Sequence, residues 1–246
     1  MFQVNHLIGF GAASTGLNNS FALTGGATTY LGRTLGAGTR TKFAISYWVK
    51  APSSFSSAIC ILGGTSNTDV FGIDSTGHPT FLLNNGTNGE QWAGTVLTTS
   101  AYNHVLYWVD TANGTAGDRL RVWINGTEEA SFGRDNNPTP SEAAGTINNS
   151  AALRIGRTTN DVLAWANTWT IEEIAFFDNN LPTITQVRDS STSKPKDLTG
   201  LNFGSTGFWL RFEGGTAATV GTDSSGLGNS WTGTNIVDGD LVSTVP

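Results

Sequence analysis

The apolar residues of this chain recur with a period of two in several separate segments. Residues 43–50 place Phe, Ile, Tyr and Val at every second position, as in a strand with one buried face. Residues 59–62, 70–74 and 80–84 are shorter apolar segments bounded by Gly, Pro and Asn, which is typical of antiparallel strands. Residues 102–110 are apolar on both faces, so we predict a central strand that is covered on both sides.

The second half of the chain continues this pattern. Residues 119–124 alternate aliphatic residues with Arg and Trp, and the pair Asn125 and Gly126 predicts a type I′ turn into a strand at 127–132. The segment 133–150 is polar and contains prolines, so we predict a long loop. Further strands are predicted at 153–157, 163–165, 169–178 and, last in the chain, 207–213, with a helical turn at 183–188.

These segments predict an all-β sandwich of two antiparallel sheets. About ten strands follow one another without βαβ alternation, and we expect them to form a single domain over residues 1–246. Hydrophobic residues make up 38% of the chain and charged residues 13%, a balance that favours a folded core over disorder. The net charge is −6, without a basic cluster or a run of about 18 apolar residues, so neither nucleic acid nor a membrane is an expected partner.

Five of the predicted strands also resemble those of a known superfamily. They are FAISYWVK at 43–50, YNHVLYWVD at 102–110, RLRVWING at 119–126, LRIGR at 153–157 and IEEIAFFD at 171–178. Their order and the turns between them, over roughly residues 21–235, resemble the concanavalin A-like lectin/glucanase (laminin G-like) superfamily. The resemblance implies a concanavalin A-like jelly-roll β-sandwich.

One feature departs from the usual order of that superfamily. A strand with an acidic end, followed by a DSSGNGN-like turn, often comes first in such domains, whereas here residues 208–213 and 223–229 come last. A similar late placement, with a tail similar to 235–246, occurs in virion proteins of tailed bacteriophages that carry this fold. The resemblance therefore implies a phage virion structural protein, and a capsid decoration protein of the head surface is the expected kind.

This resemblance also implies partners and a location. We expect contacts with other virion proteins of the capsid or tail, and a homo-oligomer, with a trimer preferred. Segments 1–16 and 235–246 are the expected attachment arms. Residues 1–11 lack the pattern of a signal peptide, so we expect synthesis in the host cytoplasm and a final location in the virion. The alternative function is a carbohydrate-binding module or tail adhesin that recognises host surface glycans.

The tryptophans are the candidate glycan-binding residues, because sugar sites commonly stack a pyranose ring on an aromatic side chain. Four of the eight lie in or beside polar or alternating segments: Trp92, Trp123, Trp165 and Trp169. The competing interpretation is that these large side chains fill the sandwich core.

Catalytic residues are not expected. Glycoside hydrolysis needs two carboxyl groups across the scissile bond, and the run Glu-x-Asp-x-x-Glu used by laminarinase-like enzymes does not occur. Glu172 and Glu173 are adjacent, so strand geometry predicts that they point to opposite faces, and the same holds for Glu128 and Glu129. His104 lies within a predicted strand, where a core histidine is the favoured interpretation over a catalytic base.

Metal binding is predicted at one turn, and Asp238 with Asp240 forms a second acidic pair. Asp223 and Asn229 flank the turn and could supply oxygen ligands to a structural Ca²⁺. The favoured alternative is an Asx-turn, in which the Asp223 side chain caps the turn. No other cofactor is expected, and Cys60, the single cysteine, is predicted to be a small buried apolar residue.

Overall fold

The computed structural model describes residues 20–22, 28–64, 68–84, 89–161, 169–212 and 216–242. In these ranges the strands are β1 Ser20–Ala22, β2 Tyr30–Thr34, β3 Lys42–Lys50, β4 Ile59–Gly63, β5 Val70–Ile73, β6 Pro79–Leu82, β7 Glu90–Ala93, β8 Tyr102–Asp110, β9 Leu120–Ile124, β10 Thr127–Glu128, β11 Phe132–Asn136, β12 Ala152–Ile155, β13 Thr170–Asp178, β14 Phe208–Leu210, β15 Thr232–Thr234 and β16 Leu241–Val242. The α-helix α1 spans Ile184–Val187, and 3₁₀ turns span Ala116–Asp118 and Asp238–Asp240. The predicted strand 163–165 and the predicted arm 1–16 lie outside the described residues.

The strands form two antiparallel sheets. Sheet I has the order β10-β9-β8-β3-β13-β1-β16, and β14 also pairs with β13. Sheet II has the order β11-β7-β6-β5-β4-β12-β2-β15. The all-β sandwich predicted from the period of two is therefore confirmed, and so is the hairpin at Asn125 and Gly126, which joins β9 to β10.

The core lies between the inward faces of the two sheets. Phe43 of β3 lies 6.4 Å from both Phe71 of β5 and Phe81 of β6, measured between ring centroids. Tyr107 of β8 lies 5.6 Å from Phe71. All four rings are fully buried, and burial of one large apolar side chain stabilises a fold by about 1.5–3 kcal/mol. These aromatic contacts hold the sheets face to face.

The outer face of sheet I is covered by the segment that contains α1. Leu106 of β8 and Phe177 of β13 belong to a second buried cluster with Val187, Leu198 and Phe203. The rings of Phe177 and Phe203 stack with centroids 4.8 Å apart. Because the other face of β8 contributes to the core between the sheets, the predicted coverage on both sides is confirmed.

The segment 133–150 is not wholly a loop, as the sequence had predicted, because β11 occupies its first residues and pairs with β7. This edge strand has few apolar residues and is largely exposed. The later part of the segment is held by the buried carboxylate of Asp69. That carboxylate accepts backbone hydrogen bonds from Gly145 at 3.2 Å, Thr146 at 2.6 Å and Ile147 at 3.0 Å.

The end of the chain adds two short strands after β14, which the sequence had predicted to be the last. β15 pairs with β2, and β16 pairs with β1. Of the predicted arm 235–246, residues 235–242 are described and lie against the fold, where the Asn235 amide donates to the carbonyl of Thr28 at 3.1 Å. Throughout the described ranges, no helix has both the length and the apolar character needed to cross a bilayer.

Candidate functional site

A row of outward-facing residues crosses sheet II from β11 to β4. The inward positions of β6 and β7 are identified by Phe81 and Ala93, which belong to the core between the sheets. Side chains alternate along a strand, so the neighbouring positions face outward. Strand register aligns these outward residues in the order Arg134, Trp92, Thr80, Gly72 and Cys60.

Trp92 is the half-buried aromatic residue of this row. Its indole Nε1 donates to Oε1 of Glu90 at 2.9 Å. The other oxygen of Glu90 accepts from Nε of Arg134 at 2.8 Å, and the guanidinium carbon lies 5.9 Å from the Trp92 ring centroid. The buried carboxylate of Glu90 therefore fixes both the ring and the cation. The Arg134 side chain is 55% exposed, and a guanidinium group has further N–H donors besides the Nε that contacts Glu90.

The loop between β5 and β6 forms one wall beside Trp92. Oδ1 of Asp74 accepts from the Thr76 backbone and hydroxyl, both at 2.8 Å, and from the His78 backbone at 2.9 Å. Gly77 has a φ of +93°, and a side chain there would overlap the ring of Phe55. This glycine is required both by the turn and by close packing, so the loop holds Asp74 in a fixed orientation.

The second oxygen of Asp74 does not take part in these backbone hydrogen bonds. It lies 3.1 Å from Nδ1 of His78, and the Asp74 side chain is 19% exposed. Partial burial opposes ionisation of this carboxyl group, but hydrogen bonds from the His78 backbone and the Thr76 side chain outweigh it and lower the pKa of Asp74. Asp74 is therefore an anion at neutral pH that can accept hydrogen bonds from hydroxyl groups.

Two depressions, each of about 410 Å³, meet at Trp92, Asp74 and Thr76. The first extends over β4 to β7, and its further lining is Ala58, Ile59, Ile73, Ser75, Thr80, Leu82 and Glu90. The second extends towards β11, and its further lining is His78, Ala93, Gly94, Ser131, Phe132 and Gly133. We call the two depressions together the Trp92 groove. Its volume is in the range of small-molecule sites.

The structure brings only one of the four candidate tryptophans to this groove. Trp123 is 7% exposed and packs against Trp108 with centroids 4.5 Å apart. Trp169 is 2% exposed and packs against Phe55 at 5.7 Å. Trp165 lies outside the described residues. Among the described residues, Trp92 thus differs from Trp123 and Trp169 because its side chain is only half-buried.

The two residues predicted as calcium ligands have protein partners. Asp223 accepts hydrogen bonds from the backbone of Trp209 at 2.9 Å, from the backbone and hydroxyl of Ser225 at 2.9 and 2.8 Å, and from the backbone of Asn229 at 2.7 Å. Asn229 Oδ1 accepts from Arg33 at 2.6 Å. This arrangement is the Asx-turn, so these donor atoms do not fit a metal ion. The described part of the chain has no group of three His, Cys, Asp or Glu residues suited to a metal.

The adjacent glutamates of β13 do not alternate as the sequence had predicted. The register of β13 against β3 shifts between Ile171 and Glu173, and both Ile171 and Ile174 lie in the core between the sheets. A β-bulge places one extra residue between two inward positions, so Glu172 and Glu173 do not take opposite faces by simple alternation. Both are fully buried and lie in sheet I, on the sheet opposite the Trp92 groove.

His104 and Cys60 are both buried as the sequence predicted. Nε2 of His104 lies 2.9 Å from the hydroxyl of Ser46. Burial, with a smaller contribution from the charge of Arg188, lowers the pKa of His104 to about 3, so it is neutral at physiological pH. Burial raises the pKa of the Cys60 thiol, so the thiol stays protonated and unreactive at neutral pH.

Sequence reasoning missed most of the groove. Glu90, Arg134, Asp74, Thr76 and His78 were not candidates, because each is an ordinary polar residue beside a turn or on an edge strand. The available signal was the segment EQW at 90–92, where an acidic residue stands two positions before a tryptophan on the same face of a strand.

Comparisons with known proteins agree with this architecture. Residues 22–183 match the sequence model of a family described as the concanavalin A-like lectin/glucanases superfamily. The fold is similar to that of a candidate carbohydrate binding protein from Bacteroides ovatus, with a TM-score of 0.64 and 13% identity over 93% of this chain. This chain spans 60% of that protein.

A second similar structure is a heptameric SAP-like pentraxin from Limulus polyphemus. Its TM-score is 0.52, with 14% identity over 78% of this chain and 91% of the pentraxin. At such identities the likeness to solved structures shows the fold alone. No curated protein matches the chain by sequence.

Proposed function

Because the chain belongs to the concanavalin A-like lectin/glucanase superfamily, we propose that it is a carbohydrate-binding protein whose binding site is the Trp92 groove. The observation that carries this proposal is a half-buried aromatic ring held by Glu90, with the Asp74 carboxylate in the same groove and the Arg134 guanidinium 5.9 Å from the ring. Such a combination of an apolar surface with a few oriented polar groups is typical of small-ligand sites. It fits a sugar, which has an apolar ring face and a rim of hydroxyl groups.

Each of the three central residues has a separate part in the proposed site. Trp92 stacks against the C–H face of a pyranose ring, and its orientation is fixed by Glu90. Asp74, which lines both depressions, accepts hydrogen bonds from sugar hydroxyls. Arg134, whose side chain is 55% exposed beside the groove, donates to hydroxyl or ring oxygens. Because the Asp74 loop and the Glu90 carboxylate hold these groups before a ligand arrives, little ordering entropy is lost on binding.

We propose binding without cleavage. Hydrolysis needs one carboxyl group that is protonated at neutral pH to donate a proton to the leaving oxygen. The two groove carboxyl groups are unsuited to this, because the pKa of Asp74 is lowered and both oxygens of Glu90 are engaged by Trp92 and Arg134. The groove therefore supports recognition, and released sugar is not expected.

A glycan array followed by isothermal titration calorimetry tests the proposal. We expect selective binding to at least one glycan class and its loss in Trp92→Ala. Tyr102→Ala is a matched control, since Tyr102 is a half-buried aromatic residue at the start of β8 in sheet I. If no glycan binds, or if Trp92→Ala binds as tightly as the unmodified protein, the proposal is wrong.

A virion structural role is the second proposal, and it is supported by the late placement of residues 208–213 and 223–229 along the chain. In that role the protein decorates the head or forms part of the tail. If it also binds host surface glycans, it acts as a tail adhesin. We expect many copies in purified particles by mass spectrometry and a trimer by light scattering. Absence from the particles would exclude this role without affecting glycan binding.

A further inference from the structure

We infer that the Trp92 groove binds a linear oligosaccharide laid across the strands of sheet II, with separate subsites on the two sides of the Trp92 ring. This inference rests on the proposed function and specifies that the carbohydrate ligand is longer than one sugar unit. The alternative is a pocket for one terminal sugar, as in many lectins. Three features of the groove favour the longer ligand.

The first feature is that the groove has two depressions of equal size. Both are lined by Trp92, Asp74 and Thr76, so these three residues stand at the junction. A single sugar ring placed in one depression leaves the other empty. A ring in each depression places both sugars beside Trp92 and within reach of the Asp74 carboxylate.

The second feature is the direction of the groove. The first depression is lined from Ala58, beside β4, to Trp92 of β7, and the second from Trp92 to Gly133 of β11. The strands between them are adjacent in the sheet. Neighbouring strands lie about 4.8 Å apart, so the lined path is about 19 Å long. That length exceeds one pyranose ring and runs perpendicular to the strands.

The third feature is the difference in chemistry between the two depressions. Residues Ala58, Ile59, Ile73 and Leu82 make the first depression largely apolar. Beside it, position 72 accepts only glycine, because a Cβ there would lie 2.7 Å from the carbonyl oxygen of Ile59. This depression suits a sugar face or substituent with few hydroxyl groups.

The second depression is more polar and opens towards the edge of the sheet. His78, Ser131 and the backbone of Gly94 and Gly133 line it. Gly133 is exposed, and a Cβ at this position would meet no atom within 4 Å. The end at β11 is therefore open, and a glycan chain can continue past Arg134. The proposed ligand is therefore an oligosaccharide bound along its length. One sugar ring lies in the apolar depression and a second ring lies in the polar one.

The test is a length series measured by calorimetry. The probes are cello-, manno-, xylo- and chito-oligosaccharides of one to four units. In the series that binds, we expect the dissociation constant to fall by about tenfold or more between one and three units. The variant Gly133→Phe fills the second depression without strain and should abolish this gain while leaving the affinity for one unit within about twofold.

Gly114→Phe is the matched control. Gly114 is also exposed with no atom within 4 Å of a Cβ, and it lies in the loop after β8, so the length dependence should be unchanged. Equal affinity for one and four units, with binding still lost in Trp92→Ala, would overturn the oligosaccharide inference and leave the proposed function intact. Absence of binding in all four series and on the glycan array would overturn both.

Discussion

The buried glutamate Glu172 predicts an unusual dependence of stability on pH. Burial raises the pKa of its carboxyl group from 4.5 to about 8, and the positive charge of Lys194 only partly opposes this. Within the described part of the chain, neither carboxyl oxygen has a hydrogen-bond partner. Between pH 4.5 and 8 the folded protein therefore holds a proton that the unfolded chain releases, so stability falls as the pH rises through this range.

His104 has the opposite effect over part of the same range. Burial lowers its pKa from 6.5 to about 3, so between pH 3 and 6.5 the unfolded chain binds a proton that the folded protein does not. Stability from this group therefore rises with pH up to 6.5 and is then constant. Between pH 4.5 and 6.5 the decrease in stability from Glu172 and the increase from His104 cancel. Above pH 6.5, Glu172 is the one of these two groups that still changes stability with pH.

The expected magnitude follows from these values. From pH 6.5 to 8, Glu172 reduces the free energy of unfolding by about 1.4 kcal/mol per pH unit, which totals about 2 kcal/mol. The variant Glu172→Gln carries a neutral side chain of similar shape at every pH, so this decline should disappear. Urea unfolding at pH 6.5, 7.25 and 8 measures the slope in each protein.

Glu128→Gln is the control for this experiment. Its side chain is 41% exposed and pairs with Arg121, so the variant should keep the decline of the unmodified protein. A free energy of unfolding that stays constant from pH 6.5 to 8 in the unmodified protein, or a decline that persists in Glu172→Gln, would refute the reasoning.

Three further predictions concern the groove and the segment 145–147 that Asp69 holds. Glu90→Ala removes two hydrogen bonds to its carboxylate, worth about 1.5–3 kcal/mol each, and should weaken glycan binding at least tenfold by calorimetry with an unchanged circular dichroism spectrum. Asp69→Asn replaces an oxygen that accepts from Thr146 and Ile147 with an amide donor, and should lower the free energy of unfolding by about 3 kcal/mol in urea. Gly77→Ala should destabilise the fold by about 1–3 kcal/mol and weaken binding, whereas the open position in Gly114→Ala should change neither. Wild-type affinity in Glu90→Ala, or wild-type stability in Asp69→Asn or Gly77→Ala, would contradict these expectations.

The period of two was sufficient to predict the long central strands. β8 has the bounds predicted from its apolar residues, and β3 differs by one residue, because both strands have buried inward faces that require regular alternation. The turn at Asn125 and Gly126 was also predictable, since both residues take positive φ values and few other pairs do so readily. Local residue chemistry determines these elements directly.

The groove could not be predicted in this way, because it depends on contacts that are distant in sequence. Glu90 meets Arg134 only because β11 pairs with β7, and β11 is an exposed edge strand without an alternating pattern. Trp123 lies in the predicted strand 119–124, whereas no strand was predicted at Trp92. The cluster around α1 covers the outer face of sheet I and buries Trp123. The bulge at Glu172 could not be predicted either. A strand pattern assigns adjacent residues to opposite faces, and nothing in the sequence marks where an extra residue interrupts that alternation.

The measurement that tests the Trp92 groove most directly is a titration followed through the indole N–H signals of ¹⁵N-labelled tryptophan. Trp92→Phe identifies the Trp92 signal among those of the eight tryptophans. On addition of the oligosaccharide that binds in calorimetry, the Trp92 signal should shift progressively while those of the buried Trp123 and Trp169 remain in place. Saturable binding that leaves the Trp92 signal unmoved would place the carbohydrate site elsewhere on the protein.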